Sequence, residues 1–231
     1  MENKPIIAKE IKAEQVGFIN QVYSWMAGAL LLTGLVAFYV ASSPQMIQGI
    51  FSNSLIFYGL LIAEIVLVGY LGRAINKISA QTAIALFMGY SALNGLTLSV
   101  IFLIFTAGSL ASTFFICAGT FTAMSIYGYI TKTDLTRIGN LAFMALIGLI
   151  LASIVNFFLK SEMLYWIVTY VGVLIFIGLI AYDTQKIKQM HLQGFEGEEQ
   201  AQKGAIMGAL RLYLDFINLF LFLLRIFGKR K

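Results

Sequence analysis

The sequence is poor in cysteine, histidine and charge, and each shortage excludes a class of protein or site. Cys117 is the only cysteine, so no internal disulfide can form. His191 is the only histidine, which excludes a metal centre built from several imidazoles. Charged residues make up only 12% of the chain, whereas a soluble domain carries roughly 25%. Phosphate-binding loops, metalloprotease signatures and nucleophile elbows are absent too, so the sequence does not predict an enzyme.

The chain is instead rich in apolar residues. Hydrophobic residues account for 59% of its 231 residues, and the mean hydropathy is +0.85. A membrane-crossing helix needs about 20 mostly apolar residues, so the chain has room for at most about eight or nine crossings. Composition therefore predicts an all-α integral membrane protein folded as one compact bundle.

Apolar runs bounded by turn residues and charges predict seven transmembrane helices. The first run is longer than the apolar core of a signal peptide, usually about 7 to 15 residues, so we interpret it as a retained helix. The predicted parts are a cytoplasmic tail at 1–21, a seven-helix domain at 22–228 and a basic end at 229–231. The helices are predicted at about 22–42, 54–72, 82–105, 109–130, 139–159, 164–186 and 205–227.

Lysine and arginine lie mostly in alternate loops, which indicates the orientation of the chain. The N-terminal tail and the second, fourth and sixth loops carry them, whereas the first and third loops carry none. We interpret the net charge of +5 as a topology signal with the N-terminus in the cytoplasm, and not as a nucleic-acid surface. The C-terminus departs from the rule, because seven crossings put its basic residues on the opposite side: Arg225, Lys229, Arg230 and Lys231.

Small residues predict where helices approach one another. Ser91, Gly95 and Ser99 recur every four residues in the third predicted helix, and Gly204 and Gly208 open the seventh. Such spacing lets two backbones come close in lipid, although free use of glycine and serine in a glycine-rich membrane protein gives the same pattern.

Three acidic residues, Glu64, Asp183 and Asp215, fall inside predicted helices. A charged side chain at the centre of a membrane helix costs about 2.5 to 3.5 kcal/mol, so each acid needs burial in the bundle, a cation, a metal ion or a proton. Asp183 lies near the C-terminal end of the sixth predicted helix, and Asp215 lies near the middle of the seventh. Lys186 and Arg211 are alternative ion-pair partners for the two aspartates.

The sixth and seventh predicted helices are antiparallel neighbours in sequence. If they touch, Asp183 and Asp215 face each other, and two carboxyls at close range cannot both stay ionised without a cation. Such a pair titrates as a coupled unit, which makes it a proton sensor, and its hard oxygen ligands also suit Ca²⁺. Arg73 lies about 13 Å from Glu64 along the second helix, which is too far for a direct ion pair. Arg73 is therefore free to reach an acid on another helix, and Asp183 is the natural candidate. Alternatively, Arg73 snorkels at the membrane boundary.

Two segments, AYDTQKIK and LYLDFINLFLFLLRIFG, resemble those of the transmembrane Bax inhibitor motif family, and the likeness covers nearly the whole chain. Runs such as YSALNGLTLS and GNLAFMALIGLILASIVNFFLKSE are most similar to its bacterial inner-membrane branch. The resemblance implies a last helix enclosed by the other six and a pH-sensitive Ca²⁺ leak. It also implies that Asp183 and Asp215 share a proton, that Arg73 latches this pair in the closed state, and that Glu64 lines the ion path.

A second function stays open at the level of sequence. Some bacterial relatives in this family are described as binding partners of a membrane-bound ATP-dependent protease, and the charged residues 1–14 would then be the contact. A proton-coupled carrier fits less well, because no predicted helix is broken except by its glycines. For the leak, the expected partners are the lipid bilayer, Ca²⁺ and protons. No cofactor is expected beyond Ca²⁺ as the transported or bound ion, and the resemblance implies a place in the bacterial cytoplasmic membrane.

Overall fold

The computed structural model describes residues 4–192 and 194–231, with side chains from residue 14 onward except at 193. These residues form helices joined by short connections, and no β-strand occurs within the ranges. The helices are α1 (Lys4–Ala41), α2 (Pro44–Phe51), α3 (Ser54–Ala74), α4 (Ala80–Leu98), α5 (Val100–Ile104), α6 (Ala107–Ile130), α7 (Thr136–Leu159), α8 (Glu162–Leu192) and α9 (Glu198–Phe227).

Seven membrane spans are confirmed, so the protein is an all-α integral membrane protein. The described part of the chain contains 7 helical segments long and apolar enough to cross a bilayer. They are 14–41, 54–74, 80–104, 107–130, 136–159, 162–192 and 198–227, in the order predicted from the apolar runs. The side of the membrane on which the N-terminus lies, and the side of each loop, stay predictions.

Several helices extend beyond their apolar runs. The first begins at Lys4, inside the predicted tail at 1–21, and α8 continues to Leu192 although its apolar run ends near Lys186. Hydropathy marks the part of a helix that needs lipid, whereas the helical hydrogen bonds continue into polar sequence that lies beyond it. The predicted protease contact at 1–14 falls outside the described side chains except for Glu14.

Two features, one after the first span and one inside the third, were not predicted. A short helix, α2, follows the first span and begins with Pro44 in its first turn, where a missing backbone N–H does no harm. The third span is interrupted at Ser99, whose hydroxyl donates a hydrogen bond of 2.6 Å to the carbonyl of Leu96. Serine hydroxyls bonded back to the preceding turn bend helices, which accounts for the break between α4 and α5.

The chain forms two compact units. The first unit comprises Met1–Ile104 and Lys188–Tyr213, and the second comprises Phe105–Ile187 and Leu214–Lys231. Their boundaries fall within α8 and within α9, so each of these helices contributes to both units.

In the first unit, α1 and α4 pack closely at Gly95. A Cβ atom at this position would lie 2.7 Å from the carbonyl oxygen of Thr33 and 2.8 Å from Cβ of Val36, so only glycine fits. The hydroxyl of Thr33 also donates to the carbonyl of Ser91, at 2.8 Å. The prediction of a close approach at Ser91 and Gly95 is therefore confirmed.

In the second unit, α8 packs against α6, α7 and α9 at three glycines. A Cβ at Gly128 of α6 would lie 2.2 Å from the carbonyl oxygen of Ala181. A Cβ at Gly139 of α7 would lie 2.4 Å from the ring of Tyr182. A Cβ at Gly172 of α8 would lie 2.6 Å from the ring of Phe222. The first two approaches fix α8 at successive residues, Ala181 and Tyr182, and the third fixes it to α9 at Gly172.

The last span is the most buried of the seven. In its apolar window 72% of the residues are buried, against 6% for the span at 54–74 and 11% for the span at 136–159. Since the side chains exposed on those two spans are largely apolar, their outer faces suit lipid. The enclosure of the last helix by the other six stays a prediction.

Candidate functional site

Asp183 lies well inside α8 and is only 9% exposed. The prediction that it lies near the C-terminal end of its helix is wrong, because α8 continues for nine further residues to Leu192. The negative end of the helix dipole acts only within the last turn, so it does not reach this carboxylate. The environment of Asp183 is set instead by the helices that pack around it.

The residues on both sides of Asp183 are fixed to α6 and to the connection between α6 and α7. The Thr184 hydroxyl lies 3.5 Å from that of Ser125. The Gln185 carboxamide donates to the carbonyl of Thr133 and accepts from the backbone N–H of Leu135, both at 2.8 Å. Together with the contact of Ala181 at Gly128, these bonds leave little freedom for the backbone that carries Asp183.

Asp215 is the more buried of the two aspartates, with 5% of its surface exposed. The next residue, Phe216, packs edge-on against the rings of Phe114 and Phe121 of α6, with centroids 5.5 Å apart in each pair. Its carbonyl also accepts a long hydrogen bond of 3.6 Å from the thiol of Cys117. The backbone beside Asp215 is therefore held against α6 as well.

Both aspartates thus adjoin contacts with one stretch of α6. Thr184, next to Asp183, meets Ser125, and Phe216, next to Asp215, meets Phe121. Ser125 and Phe121 are four residues apart, which is about 6 Å along the helix. The carboxyl-to-carboxyl contact itself stays a prediction, as do the alternative ion pairs with Lys186 and Arg211.

Glu64 is half-buried in α3 and bonded to α4. Its Oε1 atom accepts a hydrogen bond of 2.8 Å from the hydroxyl of Thr97, which also lies 3.0 Å from the carbonyl of Asn94. The side-chain amide of Asn94 in turn donates to the hydroxyl of Tyr90, at 3.2 Å. This row of polar groups, Tyr90, Asn94 and Thr97, lies inside the third span.

Sequence reasoning missed Thr97 and Tyr90 as partners of the polar groups in the membrane. Tyr90, Asn94 and Thr97 are spaced by four and three residues, so they share one helix face, and this spacing was a usable signal. A second missed contact joins the hydroxyls of Thr33 and Tyr213 at 2.7 Å, with Tyr213 fully buried. No sequence pattern pairs these two residues, because they are 180 positions apart.

Arg73, the predicted latch, is exposed in the last turn of α3. Its Nη1 atom lies 3.8 Å from the ideal Cβ position of Gly69, so the side chain folds back along its own helix by one turn. This direction is the usual one for long side chains on helices. Arg73 belongs to the first unit and Asp183 to the second, and the latch stays a prediction.

Comparison with known proteins assigns the chain to a family. Residues 15–231 match the family model described as "Inhibitor of apoptosis-promoting Bax1". The chain belongs to this Bax inhibitor family. The predicted resemblance is confirmed, and it extends over both structural units.

Bacterial proteins resemble the chain over nearly their whole length. The inner membrane protein YbhL of Escherichia coli K12 is 56% identical over 215 residues, which cover 93% of this chain and 92% of that protein. An uncharacterized protein of Borreliella burgdorferi is 47% identical with the same coverage. An uncharacterized membrane protein of Streptococcus pyogenes serotype M1 is 39% identical, with 92% of each chain covered.

Within residues 4–192 and 194–231, the acidic residues of this Bax inhibitor family member form no dense metal site. Among the residues that the structure describes, no group of three or more His, Cys, Asp or Glu side chains could hold a metal ion. Resident Ca²⁺ takes about 6 to 8 oxygen ligands, which is more than the carboxyls of Asp183 and Asp215 supply.

Proposed function

We propose that the protein is a pH-sensitive Ca²⁺ leak of the bacterial inner membrane, gated by a proton that Asp183 and Asp215 share. The observation that carries the proposal is the burial of two carboxyl groups in membrane-spanning helices, beside contacts with neighbouring turns of α6. The relative named as an inner membrane protein supports the location.

The gating step follows from the electrostatics of two adjacent carboxyls. With one proton between them, the pair carries a single negative charge and a strong hydrogen bond, which holds α8 and α9 together. Loss of that proton puts two negative charges side by side in a poorly solvated site, and the repulsion favours separation. In this mechanism, the guanidinium of Arg73 neutralises the remaining charge in the closed state.

Ca²⁺ is the cargo in this mechanism, and weak binding suits that role. A conducting path needs sites that attract the ion but release it quickly. Scattered carboxylates meet this requirement better than a complete coordination shell does. Glu64, held by Thr97 on the lipid-spanning part of α4, supplies one such carboxylate in the proposed path.

Purified protein in liposomes tests the proposal directly. Vesicles that contain a Ca²⁺-sensitive dye should take up external Ca²⁺ faster than protein-free vesicles over a series of buffers from acidic to alkaline pH, at a rate that changes as the carboxyl pair gains or loses its shared proton. Uptake at the protein-free rate throughout this pH range would contradict the leak.

The hydrogen bond between Thr97 and Glu64 gives a second test. Thr97→Val keeps the shape of the side chain but removes the donor, and a hydrogen bond to a charged group contributes about 1.5 to 3 kcal/mol. We therefore expect Ca²⁺ flux to fall by roughly tenfold, with the midpoint of its pH dependence unchanged. Thr97→Ser retains the hydroxyl and should restore most of the flux. Equal flux in the valine and serine variants would show that this bond does not position Glu64 for transport.

A further inference from the structure

A basic cavity lies where α7 ends, α8 begins and α9 ends. Its volume is about 620 Å³, and its charged lining consists of three cations and one carboxylate. Two aromatic side chains also line the cavity. These residues are Lys160, Arg225, Arg230, Glu162, Tyr165 and Trp166.

The backbone holds Lys160 in a conformation that favours glycine. Lys160 ends α7 with φ of 51°, in the left-handed region. Its N–H donates to the carbonyl of Asn156 at 2.8 Å, and the Asn156 side chain accepts from the N–H of Ser161 at 2.9 Å. A lysine where a glycine would be unstrained indicates that its side chain has a use at this turn.

The side chain of Arg225 and the backbone at Arg230 are also held in place. The guanidinium carbon of Arg225 lies 5.4 Å from the ring centre of Tyr165 and 5.0 Å from that of Phe222, within the range of cation–π contacts. The chain beyond α9 is bonded to the start of α6: the N–H of Thr106 donates to the carbonyl of Lys229 at 3.0 Å. An isolated bridge then pairs Phe105 with Arg230. The basic C-terminal end is therefore part of the fold.

The surroundings of the cavity suit a lipid. The cavity lies at the ends of three spans, so it opens at the level where headgroups meet the hydrocarbon core. Large apolar side chains close in sequence to its lining are strongly exposed, among them Phe158 at 75% and Met163 at 75%, so the cavity adjoins segments that face lipid. Tryptophan and tyrosine are the aromatic residues that favour this interface.

We propose that this cavity binds the phosphate headgroup of an anionic phospholipid. Lys160, Arg225 and Arg230 supply the positive charge that a phosphodiester needs, and Arg225 and Arg230 can each offer paired N–H donors to its oxygens. The same assignment accounts for the basic C-terminus. Cations that violate the usual charge rule of membrane topology are neutralised in place by the lipid they bind.

Quenching of Trp166 by brominated lipid tests this site. The chain has two tryptophans, so Trp25→Phe leaves Trp166 as the only one. In phosphatidylcholine vesicles, quenching of Trp166 by brominated phosphatidylglycerol and by brominated phosphatidylcholine gives an association constant for each lipid. The ratio of the first constant to the second should be roughly three or more, as expected for clustered basic residues. Equal quenching by the two brominated lipids would overturn the proposal.

Charge variants decide whether the preference belongs to this cavity. The triple variant Lys160→Gln, Arg225→Gln, Arg230→Gln should lower the ratio to about one, because the headgroup loses its cations. A control that removes three cations elsewhere, Lys77→Gln, Lys132→Gln and Arg137→Gln, should keep it. A preserved ratio in the first triple variant would overturn the assignment.

Two further arms guard against misfolding and against a free anion as the ligand. The single variants Lys160→Gln and Arg230→Gln change exposed side chains, and each should lower the ratio part of the way. An unchanged ratio in both contradicts the site even if the triple variant fails to fold. Inorganic phosphate, compared with chloride at equal ionic strength, should leave the ratio unchanged. If the ratio falls to about one in phosphate, the cavity binds free phosphate and the lipid proposal is overturned.

Discussion

Asparagine in place of either buried aspartate should flatten the pH dependence of Ca²⁺ flux. Asp183→Asn and Asp215→Asn each keep the size of the side chain but remove one of the two groups that share the proton. A coupled pair responds to pH through both members, so a single remaining carboxyl cannot reproduce its titration. In the liposome assay we expect a rate that changes by about tenfold across the series of pH values in the native protein, and by less than about twofold in either variant.

The third aspartate of the chain, Asp134, provides the matched control. It is exposed in the connection before α7, where the hydroxyl of Thr136 donates to its Oδ1 at 2.6 Å and the N–H of Thr136 at 2.9 Å. These hydrogen bonds hold the pKa of Asp134 below its ordinary value, so it stays ionised throughout the assay. The amide oxygen that Asp134→Asn introduces can still accept from the N–H of Thr136, so this variant should leave the pH profile unchanged. A native pH profile in both Asp183→Asn and Asp215→Asn would remove the shared proton from the mechanism.

A single methyl group at Gly128 should destabilise the second unit. An alanine Cβ would stand 2.2 Å from the carbonyl oxygen of Ala181, and a backbone oxygen cannot rotate away as a side chain can. The helices must therefore separate, and overpacking of this kind costs about 1 to 3 kcal/mol or more. We expect Gly128→Ala to lower the Tm of the detergent-solubilised protein by several degrees, about the shift that this loss gives in a domain of this size.

Gly119 on the same helix is the matched position for this test. An added Cβ there meets nothing within 4 Å, so Gly119→Ala should keep the native Tm or raise it slightly. Ala181 lies two residues before Asp183, so a displaced α8 should also alter the pH profile of Ca²⁺ flux in Gly128→Ala. Equal Tm values for the two alanine variants would mean that α6 and α8 are not in contact at Gly128.

Hydropathy alone was enough to find the seven spans, because lipid selects for long apolar runs whatever the helices pack against. It could not give the ends of α1 and α8, since Lys4 and Leu192 lie in polar sequence that stays helical. The break at Ser99 was hidden for a related reason. Its cause is one side-chain hydrogen bond, which leaves no mark on the hydropathy of the run.

The acids of the site could be found from sequence, but their partners could not. Glu64, Asp183 and Asp215 stand out because charge is rare inside a membrane helix. The contact of Glu64 with Thr97 depends on how α3 rotates against α4, and the depth of Asp183 depends on glycine contacts such as that at Gly128. Such rotations are set by close packing between helices, which sequence spacing constrains to a face but not to a partner.

Gln185 limits how the aspartates can move. Its carboxamide satisfies the N–H of Leu135 and the carbonyl of Thr133, and Leu135 is almost fully buried. If α8 turned by even one residue, about 100°, both backbone groups would lose this partner, and a buried unsatisfied group costs about 1 to 3 kcal/mol. The stretch of α8 that carries Asp183 therefore moves as one rigid unit with the connection between α6 and α7, and it does not rotate about its own axis.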